Sequence, residues 1–197
     1  MEVNCVGPML LTNELLPSLR AAKGRILNVT GAVGYIAFPF YALYCASKYA
    51  MEGYTEALSY DLKPFGVQVG IVEPGGFRTG FTDTASASTN LVREGSPYKA
   101  RAEAMTHFLR TEAVKLNGDP LVVAKALARL CSQRRVPMRT KVGADAVMLS
   151  TLSWLVPTRA KMWLIDTAMG RTLFNPTSSQ KALACVQPET PSERLAS

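Results

Sequence analysis

One histidine, His107, is all the imidazole that the 197 residues offer. A histidine-rich metal centre is therefore excluded as a reading. The four cysteines, Cys5, Cys45, Cys131 and Cys185, show no Cys-x-x-Cys spacing. Neither a zinc ribbon nor a dithiol redox motif is written here, and free thiols in a reducing compartment are expected. No Gly-x-Gly-x-x-Gly or other phosphate-cradling glycine run occurs. No apolar run reaches the ~20 residues that a bilayer span needs. The opening Met1-Glu2-Val3-Asn4 lacks a basic leader, and Pro8 breaks the apolar stretch that follows, so no secretory signal is read and a cytoplasmic location is expected.

What is present is globular in character. Apolar residues make up 48% of the chain and charged residues 19%, as in an ordinary folded domain. The formal charge is +7. The basic residues are scattered, apart from Arg134-Arg135 and the stretch from Arg139 to Lys141. No helix-turn-helix, finger or RNA-recognition pattern accompanies them, and no aromatics interleave with them. A solvated basic face is expected, able to attract an anionic small molecule, and no nucleic acid partner.

Punctuation by glycine and proline divides the chain into alternating helices and strands. Residues 3–19 read as a helix, Arg25 to Thr30 as a short strand, and Gly31 to Phe40 as a loop. Ala42 to Leu62 reads as a long helix ended by Pro64 and Gly66. Val67 to Val72 is β-branched and apolar, as in a buried parallel strand. Residues 83–96 read as a loop and Tyr98 to Leu116 as a helix. Asp119-Pro120 is an N-cap followed by proline at the first helical position, so Leu121 to Ser132 is predicted helical. Arg139 to Val142 is a last strand. Residues 143–169 form two short helices split at Pro157. Residues 171–197 are polar and are expected to form a disordered tail. The predicted fold class is α/β, a partial, doubly wound parallel sheet of Rossmann type with flanking helices over residues 1–170.

Within the long helix, Tyr44 and Lys48 stand at i and i+4, on one face. An ammonium within ~4–6 Å of a phenol favours the phenolate and lowers a pKa that is otherwise about 10. A phenol tuned in this way passes protons to and from an alcohol or carbonyl oxygen. Alone, such a pair is far more often an aromatic beside a solvated amine.

Its neighbours change that balance. Asn4-Cys5-Val6-Gly7, Arg25-Ile26-Leu27-Asn28-Val29-Thr30, Tyr44-Cys45-Ala46-Ser47-Lys48 and Val72-Glu73-Pro74-Gly75-Gly76-Phe77-Arg78-Thr79 follow one another in order. In that order and spacing they resemble the short-chain dehydrogenase/reductase family, strongly over residues 1–80 and more loosely over 120–170. The phrasing around Val29-Thr30-Gly31 and Lys63-Pro64-Phe65-Gly66-Val67 resembles the branch of steroid and retinoid dehydrogenases. The resemblance implies an NAD(P)-dependent oxidoreductase that interconverts a secondary alcohol and a carbonyl by hydride transfer. It implies Tyr44 as acid–base, Lys48 lowering the Tyr44 pKa and bonding the nicotinamide ribose, and Asn4 holding a relay water. Pro74, Gly75, Gly76 and Thr79 are implied to contact the nicotinamide. NAD and NADP are not distinguished. Family members pair through the two long helices, so a homo- or hetero-oligomer with related subunits is implied, and peripheral membrane contact is compatible with the resemblance.

Two departures stand out. The family's catalytic serine falls on Gly31 by its distance from the tyrosine, or on Ala32 by the Val-Thr-Gly phrase, and neither carries a hydroxyl. Thr30 is the nearest candidate to replace it. The glycine-rich cofactor loop with which the family opens is also absent, which is expected of a chain started at an internal methionine or of a natural truncated form. The segment from Phe77 to Leu116 mixes Phe81, Leu91, Val92, Tyr98, Met105 and Phe108 with small polar residues. It is expected to close over a small apolar carbonyl or alcohol. The alternative reading is a non-catalytic remnant that pairs with, and modulates, an intact relative.

Overall fold

The computed structural model describes residues 1–80, 93–108 and 117–173. They fall into two compact units, one made of Met1–Thr79 with Leu116–Lys161 and the other of Gly80–Lys115 with Met162–Ser197.

The first unit holds a three-stranded sheet: β1 (Arg25–Val29), β2 (Gln68–Pro74) and β3 (Arg139–Val142). Both ladders are parallel, in the order β1-β2-β3, with Ile26 opposite Val69 and Val72 opposite Thr140. Parallel neighbours need long crossovers. Helices α1 (Gly7–Ala21) and α2 (Ala42–Leu62) supply one face, and α4 (Pro120–Ser132) supplies the other.

Side-chain alternation along the strands sorts the core into two layers. Ile26 and Val69 pack with Leu58 and Leu62 of α2, and Leu16 and Leu19 of α1 close the edge. On the opposite face Val72 and Val142 pack with Leu130 of α4, flanked by Leu27 and Phe77. The sheet is thus covered on both sides, which explains why residues 69–72 of β2 form an unbroken apolar run. Gly70 is required by this covering, because a side chain there would press into Val136 and the Pro137 carbonyl at 2.8 Å.

Local chemistry sets the boundaries. Helix α2 runs Ala42–Leu62 as the glycine and proline signals require. It passes through a 3-10 turn, Lys63–Phe65, to Gly66 at φ 73°, the left-handed stop that glycine tolerates. Asp119 caps α4 by accepting the Leu121 amide at 2.9 Å. The first helix departs from expectation. It begins as a π turn, Glu2–Val6, before α1 proper, and α1 continues through Pro17 to Ala21. The loop after β1 contains a 3-10 turn, Ala32–Gly34. Beyond β3 lie α5 (Ala144–Leu155) and α6 (Thr158–Leu173), split at Pro157 as expected. The second unit contributes α3 (Lys99–Phe108) and α6 from Met162 onward. The remainder of the helix expected to Leu116, much of the expected loop, and the tail beyond Leu173 lie outside the described residues. No helix among the described residues is long and apolar enough to cross a membrane.

Candidate active site

Thr30 and the Pro74-Gly75-Gly76 turn lie at the carboxyl ends of β1 and β2, and Lys48 reaches the same edge, where ligands of open parallel sheets bind. Tyr44 and Lys48 lie in the first two turns of α2, both half-buried. The Lys48 ammonium sits 5.8 Å from the centre of the Tyr44 ring. The same ammonium donates to the Val29 carbonyl at 3.0 Å, which ties the helix to the end of β1. Ser47 is fully buried, and its hydroxyl donates to the Tyr44 carbonyl at 2.6 Å, so it serves the helix.

The acidity of the phenol is opposite to the expectation. Burial pushes Tyr44 up to about 12, and the neighbouring Cys45 and Tyr41 add to the rise. Burial also draws Lys48 below its ordinary value. The amine lies over the ring face and spends one hydrogen bond on the backbone, and desolvation of the phenol outweighs its attraction. At neutral pH Tyr44 holds its proton.

Thr30 does not join this pair. Its hydroxyl is buried and donates to Glu52 Oε1 at 2.6 Å. Gly31, at φ 127° and ψ 175°, turns the chain away from β1, and the 3-10 turn Ala32–Gly34 follows. Gly31 lies close to the end of β2, since a side chain on it would touch the Pro74 carbonyl at 3.4 Å. Asn4 is half-buried in the π turn, which packs on α2.

The Pro74-Gly75-Gly76 turn is held from three directions. The Gly75 amide donates to the Val142 carbonyl at 2.9 Å, the Gly76 amide donates to Asp145 Oδ2 at 2.6 Å, and the Gly76 carbonyl accepts the Gly118 amide at 2.9 Å. A side chain at Gly75 would run into the Asp145 carboxylate, and one at Gly76 into Asn117. Glycine is needed here for close approach. Thr79 is exposed at the end of this segment.

Three residues that the sequence reading passed over do much of the positioning. Asp145 anchors the glycine turn. Glu52 receives Thr30 and accepts from Arg139 Nε at 3.1 Å, and Arg139 also donates to Glu56 at 2.5 Å. Glu52 extends the Tyr44–Lys48 stripe by another four residues, so its place on that face was legible. Glu73 of β2 is 1% exposed and stands 3.5 Å from Arg139, with Oε2 lacking a hydrogen-bond partner among the described residues. Burial, and then the charge of Glu52, raise its pKa against the opposing pull of Lys141 and Arg139. Glu52 and Glu73 line a cleft of about 610 Å³ with Tyr35, Arg139 and Trp154.

Residues 1–90 match the family model for short chain dehydrogenase. Mouse retinol dehydrogenase 5 is 45% identical over 189 residues, covering 91% of this chain and 58% of that protein. A 3-ketodihydrosphingosine reductase of Bacteroides thetaiotaomicron is 33% identical over 172 residues, covering 86% of this chain and 60% of that protein. A short-chain dehydrogenase of Streptomyces avermitilis superposes with a TM-score of 0.61 at 31% identity, covering 87% of this chain and 60% of that one. At 22% identity and a TM-score of 0.54, 4-hydroxyisoleucine dehydrogenase complexed with NADH shares the fold, over 74% of this chain and 57% of that one. The fold and the ordered motifs are those of an α/β class with a parallel, Rossmann-type sheet. The chain belongs to the short-chain dehydrogenase/reductase family. It spans about 60% of the length of the relatives it matches.

Proposed function

We propose that these residues form the acid–base end of an NAD(P)-dependent oxidoreductase that interconverts a secondary alcohol and a carbonyl, with Tyr44 as the proton donor. The observation that carries this reading is the Lys48 ammonium over the Tyr44 ring, tied to the end of β1. A phenol that keeps its proton at neutral pH is in the state needed to donate to a carbonyl oxygen. Lys48 has spent one of its three protons on Val29, which leaves two for a ribose hydroxyl. The nicotinamide, when bound, supplies or accepts the hydride. Pro74, Gly75, Gly76 and Thr79 would hold its amide end, and the rigidity of the glycine turn fits that role. The residues present fit the nicotinamide-ribose half of the cofactor, and the sequence holds no glycine loop for the phosphate half. A small apolar carbonyl is the proposed substrate class, in keeping with the retinol and sphingoid names of the relatives.

The test is fluorescence titration of the purified chain with NADH and NADPH, followed by turnover of a panel of apolar and sugar carbonyls. Saturable binding and turnover of apolar ketones alone are expected. Absence of binding at millimolar cofactor would refute the reading for this chain.

A second reading has its own support. Gly31 and Ala32 carry no hydroxyl, and Thr30 gives its own to Glu52. Loss of one such donor costs roughly 10²–10³ in rate by analogy with oxyanion-hole deletions. In addition Leu10, Leu11 and Leu15 of α1 are exposed. A chain that pairs with an intact relative and alters its activity fits both observations. Co-purification with such a relative, with a changed rate per intact subunit, is the outcome this reading expects.

A further inference from the structure

The turn after β1 is bonded to Glu52 of α2 at its start and packs against the same side chain at its end. Thr30, at its start, donates its hydroxyl to Glu52 Oε1 at 2.6 Å. Gly34, at its end, lies against the same side chain, since a Cβ there would stand 3.0 Å from Glu52 Cγ and 3.2 Å from Oε1. Glu52 Oε2 is in turn held by Arg139 Nε at 3.1 Å, from β3. Within the turn, the Gly34 amide donates to the Gly31 carbonyl at 2.9 Å and the Tyr35 amide to the Ala32 carbonyl at 3.3 Å. Tyr44, Lys48 and Glu52 recur every four residues along α2, so phenol, amine and carboxylate share one stripe of one helix.

We propose that Glu52, braced by Arg139, is a positioning residue that sets the Thr30–Gly34 turn in register with Tyr44. This inference rests on the acid–base reading above. Its physical content is that the two sides of a reacting oxygen are referenced to one rigid helix. The phenol stands on the first turn of α2, and the turn that would present a second donor is bonded two turns further along. Misplacement of such groups by about 1 Å costs on the order of 10²-fold in rate. The charge-assisted bond from Thr30, and the guanidinium behind Glu52, are the kind of support that holds such a geometry. Nothing in this role asks Glu52 to touch substrate or cofactor.

The experiment has two arms, both on the full chain. In the first, amide hydrogen exchange is followed in the wild type, Glu52→Gln and Thr30→Val. Exchange at Gly34 and Tyr35 is expected to quicken about tenfold or more, with the amides of β2 and the middle of α2 unchanged, as local opening requires. Unchanged exchange at the turn, or equal quickening throughout the sheet, would overturn the inference. Thr30→Val keeps Glu52 and Arg139 paired, so it remains informative should Glu52→Gln fail to fold.

In the second arm Ala32→Ser returns a hydroxyl to the turn. Turnover of a long-chain aliphatic ketone with NADH or NADPH is expected to rise by about 10²-fold in kcat, with KM little altered. Adding Glu52→Gln should cancel that gain and leave cofactor affinity as it was. A gain that survives Glu52→Gln rejects the positioning role. No gain from Ala32→Ser rejects the acid–base reading instead, and the exchange arm still decides whether Glu52 holds the turn.

Discussion

Asp145, in the first turn of α5, accepts the amide proton of Gly76 at 2.6 Å. The same carboxylate fills the space in which a side chain at Gly75 would have to lie. Asp145→Ala should cost about 1–3 kcal/mol, the range for a charge-assisted bond removed from a backbone donor. Gly75→Ala should cost a similar 1–3 kcal/mol through overpacking. Because the two changes act on one contact, their sum should overstate the double variant by about 1 kcal/mol or more. Urea unfolding of the four proteins measures this, and strict additivity would show that the two residues do not meet.

Tyr44→Phe should reduce turnover by about 10²–10⁴-fold, the range for a lost general acid. The phenol's ionisation is a second readout. With its pKa at about 12, the tyrosinate absorbance that Tyr44→Phe removes should appear only toward that pH. An unfolded phenol ionises near 10, so this group favours unfolding as pH rises from about 10 to 12. A Tyr44 signal that begins below pH 10 would mean that the amine, and not burial, governs the phenol.

Glu73 gives the opposite end of the pH scale a measurable signature. Its folded pKa is raised, chiefly by burial. Between the unfolded carboxyl value of about 4.3 and that raised value, the folded chain binds more protons, so this group's contribution to stability falls as pH rises. Glu73→Gln removes the penalty. Its melting temperature relative to wild type should increase from pH 4 to 7, and a constant offset would show that Glu73 ionises normally in the folded chain.

Arg139 meets Glu52, Glu56 and Glu73 at once. Its side chain is 38% exposed, which screens the interaction, so Arg139→Met should cost about 1–3 kcal/mol rather than the larger figures for fully buried pairs. Arg139→Lys should recover only part of that, because one ammonium cannot reproduce the guanidinium fork. Denaturation midpoints of the two variants decide it, and full recovery by lysine would contradict the fork.

The parts of this fold that sequence reading reached were those governed by local rules. The bounds of α2 follow from Pro64 and Gly66, the start of α4 from Asp119-Pro120, and the break between α5 and α6 from Pro157. That Tyr44 and Lys48 share one face of α2 follows from helical spacing. What stayed hidden depends on contacts between distant segments. No local pattern tells that Asp145 will reach back to Gly76, or that Arg139 will select Glu52 and Glu56 on another element. The acidity of Tyr44 was misjudged for a similar reason, since i,i+4 spacing brings the amine near but does not count the water removed around the phenol. The π turn at Glu2–Val6 left no sequence mark, and the passage of α1 through Pro17 shows tertiary packing overriding a helix breaker.

Every ladder in this sheet joins strands that run the same way. No neighbouring strands can therefore zip together through a tight hairpin as they leave the ribosome. Within this sheet β1 meets β2 only after a stretch of roughly 40 more residues has followed it, and β2 waits longer still for β3. Pairings of such long sequence separation form slowly, so the apolar edges of these strands stay uncovered for longer than those of a hairpin would.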